Sequence, residues 1–403
     1  MKVIYFLNEF PCYSETFIIN QINGLIERGF NVQIIALKIG EIKDIEIIKR
    51  YNLLSRTTCL RKIQKKHFLR HLNNLANTLL ALKNAAFRRL VIQHLKKKDF
   101  SFINYAFVIN ENRQYEADVI IAHFGPNAVF ADNLVEIGCL SGKLYSIFHG
   151  YDISQNNVLN KYISEYQKLF NKDIIALPIS NLWQEKLLTI GCPSEKIVVN
   201  RMGIDTDCFT FNPNVDLNEP LQLLTVARHS EKKGLEFSIQ AMKILQNVGI
   251  NFQYNIIGTG PLFEQHQQLI NKLGLDKSIK LLGYQEPDTI NKYLENTDIF
   301  ILPSVTAQSG DMEGIPVALM EAMAKGVICL STLHSGIPEL IDNEQSGFLV
   351  PERDFTSIAK VLTEIVSGKY NLEKIKENAL KTILENYNQK HIYDQLADLL
   401  RKK

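Results

Sequence analysis

The sequence predicts an α/β protein made of two doubly wound halves, each a parallel sheet covered by helices. Short apolar runs alternate with helical segments through the first half of the chain, as a parallel sheet with crossover helices requires. The same alternation starts again after residue 220. The chain of 403 residues also exceeds the roughly 250–300 at which a single hydrophobic core stops growing.

The elements follow in order. A strand opens the chain at Val3, and Ser14 is placed to cap a helix over 15–28 whose apolar residues Phe17, Ile18, Ile22, Leu25 and Ile26 fall at helical spacing. Gly29 stands where a C-terminal cap is expected, and the next strand covers 32–37. Further strands are expected over 119–122, 143–148 and 174–179. The second half should contribute strands over 221–227, 252–257, 279–282, 299–302 and 327–330. The polar, proline-marked stretch 212–220 reads as a linker, so the domains are expected at 1–210 and 211–385, with a final helix in 386–403 crossing back to the first domain.

Composition is that of an ordinary globular protein, 46% hydrophobic and 22% charged, and a net charge of +2 is too small to imply nucleic acid as a partner. The six cysteines are scattered with no C-x-x-C pair, which suits a reducing compartment. The opening apolar run is shorter than a signal-peptide core, and no stretch approaches the roughly 18 residues that span a bilayer. A cytoplasmic protein is therefore expected. Charge is uneven, however: residues 47–98 hold fourteen Lys or Arg and no Asp or Glu, with leucines interleaved at roughly helical spacing. A basic amphipathic helix of this kind fits an anionic membrane surface, here expected to be the inner face of the cytoplasmic membrane. The other reading is a solvated helical insertion.

The chemistry-bearing residues concentrate in the second half. Glu313 and Glu321 have seven residues between them, and Pro316 marks a helix start, so Glu313 sits in the entering loop and Glu321 lies along the helix. A helix N-terminus after a strand end offers free N–H groups to a pyrophosphate. Arg228 and Lys233 follow the half's first strand, where open α/β sheets bind ligands, and both suit a diphosphate. Gly258 and Gly260 after the next strand permit close backbone approach. In the first half, His123 and His149 each end a strand, again on the ligand edge. Asp205 and Asp207 form a D-x-D that lies in the hinge and is set aside as a metal site. His67 and His71 lack a third ligand. A glycosidase pair at Glu313 and Glu321 is disfavoured by the neighbouring cations.

These residues, as an ordered set, resemble glycosyltransferase family 4: A-R-x-x-E-K-x-G-L over 227–235, I-G-x-G-P over 257–261, E-G-x-P followed by L-x-E-A-M-A from Glu313, and the runs at 335–341 and 346–350. The segment 200–205 is similar to that family's hinge. The F-P-C-Y-S-E-T-F run at 10–17 and H-G-Y-D at 149–152 resemble the bacterial exopolysaccharide, colanic-acid and O-antigen branch. The resemblance implies a GT-B fold, two Rossmann-like domains facing each other across a cleft, acting as a retaining hexosyltransferase with neither metal nor cofactor. It implies that Arg228 and Lys233 bind the donor diphosphate, that Glu313 contacts the transferred sugar and Glu321 the ribose, and that His149 lies near the reacting carbon. Ser14, Gly258, Gly260, Tyr284, Gly314, Ile315 and Pro316 would complete the nucleotide-sugar site, with His123 and Asp152 toward acceptor or sugar. The loop 8–14 contains no glycine, unlike many members. Nucleotide choice rests on the segments after Gly283 and over 307–311, with UDP expected and GDP the alternative. The expected acceptor is a saccharide, lipid-linked. A sugar-nucleotide epimerase or hydrolase on the same scaffold, or a non-catalytic saccharide-binding protein, are the other readings.

Overall fold

The computed structural model describes residues 1–12, 15–40, 46–60, 76–96, 98–110 and 113–402. Among these, two parallel six-stranded sheets form. The first comprises β1 (Lys2–Phe10), β2 (Asn31–Ile39), β3 (Thr57–Cys59), β4 (Tyr115–His123), β5 (Leu140–Phe148) and β6 (Ile174–Pro178), in the order β3-β2-β1-β4-β5-β6. The second comprises β7 (Leu221–Val226), β8 (Phe252–Ile257), β9 (Ile279–Gly283), β10 (Ile299–Leu302), β11 (Ile328–Thr332) and β12 (Phe348–Val350), in the order β12-β11-β10-β7-β8-β9. Each half therefore has the doubly wound order 3-2-1-4-5-6, whose topological switch point lies between its first and fourth strands. The fold is GT-B.

The central strands are β-branched and apolar because helices cover both their faces, and Val3, Ile4, Tyr5 and Phe6 are all fully buried. Each such side chain contributes about 1.5–3 kcal/mol when removed from water. One apolar core runs from Val3 to Ile197, a second from Ile204 to Tyr387. The last helix, Gln389–Arg401, returns Leu396, Ala397 and Leu400 to the first core. It packs on the first helix, Thr16–Glu27, where Arg28 pairs with Asp394 at 2.7 Å. That first helix has Glu15 at its N-cap without a side-chain cap bond, and Ser14, expected to cap it, lies outside the described residues. Gly29 does close the helix, with φ +82° and its N–H on the Ile26 carbonyl.

Two expectations need correction. The basic stretch 47–98 is not one helical element: it contains Glu46–Arg50 in part, the edge strand β3, and the helix Ala85–Lys96, while 61–75 and 97 lie outside the described residues. Pairing of Thr57, Thr58 and Cys59 with β2 outweighs helical spacing there. The edge strands β3 and β12 were not expected as strands, since three residues carry too little alternation to read.

Candidate active site

Both switch points open onto one cavity of about 1790 Å³ between the sheets. From the first half it is lined by the loop after β1, by Phe124 after β4 and by His149 after β5. From the second half it is lined by Lys232 and Lys233 after β7 and by Met312 to Ala318 after β10.

The second-half wall is built around Glu313. Its carboxylate is buried, and Oε2 accepts from Lys233 Nζ at 2.9 Å. Oε1 is also buried and has no hydrogen-bond partner among the described residues. Burial alone would raise this carboxyl. The charges of Lys233 and Lys232 and the Lys233 hydrogen bond outweigh it and hold the group below its ordinary range, so Glu313 is ionised. The Glu313 loop is held by side chains distant in sequence. Its main-chain N–H donates to His334 Nε2 at 3.1 Å, His334 Nδ1 donates to Glu352 Oε1 at 2.6 Å, and Ser335 Oγ donates to the Glu313 carbonyl. Ser335 has φ +49°, a left-handed conformation rare for a side-chain-bearing residue and retained where surrounding structure enforces it. Gly314 has no room for a Cβ, which would lie 2.6 Å from Ile179 Cδ1 and 3.1 Å from the His149 carbonyl. This close approach brings the Glu313 loop against the first half. Ser154 Oγ, accepting the Met312 N–H at 3.3 Å, and the Asn156 N–H on the Ser309 carbonyl add to the contact.

The helix Val317–Ala324 begins directly after Pro316, and Glu321 is its fifth residue. Burial pushes the Glu321 carboxyl up to about 7. Ile315 and Pro316 line the cavity.

On the first-half wall, the His149 ring packs against Phe124 and Phe17, with centroids 4.5 and 5.0 Å away. Phe124 itself has φ +70°. His149 Nε2 lies 2.9 Å from His123 Nδ1, and His123 Nε2 lies 3.0 Å from Gln21 Oε1. Burial drives His149 down to about 3, and burial followed by the neighbouring His149 drives His123 well below its ordinary value, so both imidazoles are neutral. Asp152 is fully buried and accepts from the main-chain N–H groups of Gly125, His149 and Gly150 at 2.8, 3.0 and 3.0 Å. Burial exceeds the effect of those bonds and raises its carboxyl to about 6. His123 and Asp152, expected to face acceptor or sugar, thus stand behind His149 and hold it, because their polar atoms are committed to Gln21, His149 and the backbone.

The expected residues divide in two. His149, Lys233, Glu313, Gly314, Ile315 and Pro316 share the cavity. Arg228 is exposed at the end of β7, and neither it nor Gly258, Gly260, Tyr284 or Glu321 is among the cavity's described lining. Tyr284 is largely exposed and its hydroxyl meets Glu286. The glycine loop is crowded by protein rather than open: a Cβ on Gly258 would lie 2.0 Å from the Ala227 carbonyl, and one on Gly260 2.4 Å from that of His229. Of the D-x-D, Asp205 caps its own turn at the Asp207 N–H and Asp207 pairs with Lys390. His67 and His71 lie outside the described residues. Sequence reasoning missed Gln21, Lys232, His334, Glu352 and Glu339. Lys232 stood beside Lys233 in the quoted run, and Gln21 was a polar residue beside the apolar face of its helix. Glu339 lay inside the quoted run 335–341 without being singled out, while His334 and Glu352 carried no local signal.

Comparison with known proteins agrees with this architecture. The family described as Glycosyl transferases group 1 matches residues 210–382. The chain is 41% identical over 409 residues to WcaL of Escherichia coli (strain K12), assigned as a colanic acid biosynthesis glycosyltransferase. It is 39% identical over 405 residues to the amylovoran biosynthesis glycosyltransferase AmsK of Erwinia amylovora. Both alignments cover 100% of each chain. Among solved structures, Anabaena Alr3699/HepE in complex with UDP superposes with a TM-score of 0.71 at 17% identity, covering 100% of both chains.

Proposed function

The chain belongs to the group 1 glycosyl transferases, and from that premise we propose that it moves a hexose from a nucleotide-sugar, with retention of anomeric configuration, onto a saccharide acceptor in surface exopolysaccharide assembly. The observation that carries this is the Glu313 carboxylate: buried, ionised, and with one oxygen unpartnered in a cavity that His149 enters from the other sheet. A buried carboxylate oxygen left without a donor costs about 1–3 kcal/mol, which a sugar hydroxyl donating to Oε1 recovers. Lys233 beside it supplies a positive charge for the departing phosphate. Arg228, exposed on the same strand end, reaches the diphosphate once the donor is bound.

Transfer then proceeds in one place. The bond from anomeric carbon to phosphate oxygen breaks, the acceptor oxygen bonds to the same face of that carbon, and the acceptor proton passes to the leaving phosphate. No protein nucleophile is required, and Lys233 and the helix N-terminus after Pro316 stabilise charge as it develops. The proposed reaction needs no metal ion. UDP is the proposed nucleotide, with GDP the alternative; UDP is the nucleotide bound by HepE. The acceptor is proposed to be lipid-linked. Support for a membrane-side acceptor comes from the helix Ala85–Lys96, where exposed Ile92 and Leu95 stand among Arg88, Arg89 and Lys96.

The test is a thermal-shift screen against UDP, GDP, ADP and their sugar conjugates, with and without EDTA. Stabilisation by one nucleotide class, unchanged by EDTA and abolished in Lys233→Ala, is the expected result. The absence of any shift from folded protein would overturn the donor-site reading. Release of nucleotide without transfer to any saccharide would favour a hydrolase.

A further inference from the structure

Behind His149 runs a buried chain of polar groups that the proposed chemistry does not use. The Tyr5 hydroxyl donates to Gln21 Oε1 at 3.0 Å, and that same oxygen lies 3.0 Å from His123 Nε2. His123 Nδ1 in turn lies 2.9 Å from His149 Nε2. Tyr5 comes from β1, Gln21 from the first helix, His123 from the end of β4 and His149 from the end of β5, so four elements meet in one line. All four residues are buried.

A carbonyl oxygen only accepts. His123 Nε2 must therefore carry a hydrogen to bond Gln21, and a neutral imidazole carries only one. His123 Nδ1 is then bare, and His149 Nε2 must donate to it. His149 is left with an unprotonated Nδ1. We propose that Gln21 is a positioning residue that acts through His123 to hold His149 as its Nε2–H tautomer. His149 thereby offers Nδ1 to the cavity as an acceptor for a hydroxyl rather than as a donor to phosphate. The assignment of Nδ1 to a substrate hydroxyl rests on the proposed function; the tautomer itself does not.

The surroundings suit this assignment. The two rings are packed by Tyr5, Phe17 and Phe124, all apolar on their faces. The carboxylate bonded at His149, that of Asp152, takes the main-chain N–H and leaves the ring alone. Burial drives both imidazoles toward the neutral form, and with Gln21 Oε1 turned to His123 the chain of donors and acceptors has one consistent solution.

Substituting Gln21 by Glu reverses the logic in a readable way. A carboxylate next to His123 favours its imidazolium, whose Nδ1–H must donate to His149 Nε2 and force the hydrogen of His149 onto Nδ1. As pH rises through the raised pKa of His123, the imidazolium is lost and His149 returns to Nε2–H. The experiment is nitrogen-15 NMR of histidine-labelled protein between about pH 5.5 and 8, with His149→Gln and His123→Gln spectra identifying the two rings. The expected result is an Nε2–H His149, constant across this range, in the natural chain, and a pH-dependent exchange of the protonated nitrogen in Gln21→Glu. In Gln21→Leu, which introduces no charge, His149 should show a mixture of tautomers. A protonated Nδ1 in the natural chain, or a His149 signal unmoved in both Gln21 variants, overturns the proposal. Because the readout needs no substrate, loss of the glycosyl-transfer reading would leave this result intact.

Discussion

Lys233 Nζ lies 2.9 Å from Glu313 Oε2, an ion pair between a half-buried lysine and a buried carboxylate that joins the loop after β7 to the loop after β10 across the switch point of the second sheet. Neither group is stabilised well alone. Lys233→Ala leaves a buried carboxylate with both oxygens short of donors, and the expected cost is about 1–3 kcal/mol. In a domain of this size that lowers Tm by roughly 2–4 °C per kcal/mol. The paired variant Lys233→Met with Glu313→Gln removes both charges and should regain most of the loss, while transfer is absent in either protein. Calorimetry of the three proteins decides the matter: equal Tm values for Lys233→Ala and the natural chain would mean the pair is not closed in solution.

Glu321 is the group expected to tie nucleotide binding to pH. Its carboxyl is raised to about 7 by burial, so it is largely protonated at pH 6 and largely ionised at pH 8. We propose that ribose hydroxyls donate to this carboxylate; the ionised form is then the one that binds, and binding weakens as pH falls through 7. UDP affinity should rise roughly tenfold from about pH 6 to 8 on this account. Titration calorimetry compares the natural chain with Glu321→Gln, in which the titration of UDP itself is unchanged and the extra pH dependence should vanish. Parallel pH profiles would separate Glu321 from the ribose.

The helix Ala85–Lys96 should carry any membrane contact. Ile92 and Leu95 are exposed on it, and Phe100, just beyond, is 63% exposed. Apolar side chains inserted at a lipid interface and cations near anionic headgroups reinforce each other, and salt screens only the second. Sedimentation with anionic vesicles at low salt should therefore recover the protein. Ile92→Asp combined with Leu95→Asp should abolish recovery, and added salt should reduce it. Recovery unaffected by that double change would place the contact elsewhere.

How much of this was legible depended on the distance over which each feature is determined. The ten longer strands were readable because apolar runs between turn residues need no partner to be recognised. The strand Thr57–Cys59 was not, since it exists by pairing with Ile34, Ile35 and Ala36 inside a stretch of helical spacing. Glu313 stood out locally through the glycine and proline after it. Its supports did not: His334 and Glu352 reach it from later loops, through bonds that no spacing encodes. Glu339 is similar. Its carboxylate accepts the Asn181 and Leu182 N–H groups at 3.0 Å, capping from the second half the N-terminus of the helix Asn181–Thr189. Gly258 and Gly260 illustrate a middle case. The glycines were read as room for a ligand to approach the backbone, whereas the atoms that crowd them are carbonyls of the neighbouring loop.

The return of the last helix makes Gly24 a position where an added side chain acts on both halves. A Cβ there would lie 2.2 Å from Tyr393 Cδ2, so Gly24→Val must displace Tyr393 and with it the helix Gln389–Arg401. Overpacking of this kind costs about 1–3 kcal/mol. The displacement also loosens Leu396 and Leu400 from the first core and strains the Arg28–Asp394 pair. Because that helix follows directly on Leu372–Asn386 of the second half, its release loosens the link between the halves and opens the cavity. Hydrogen exchange should accelerate across 389–401 in Gly24→Val, and transfer should fall, while UDP binding, proposed to rest on the second half, changes only a few-fold. Exchange protection of 389–401 equal to that of the natural chain would show that Tyr393 swings aside without moving the helix.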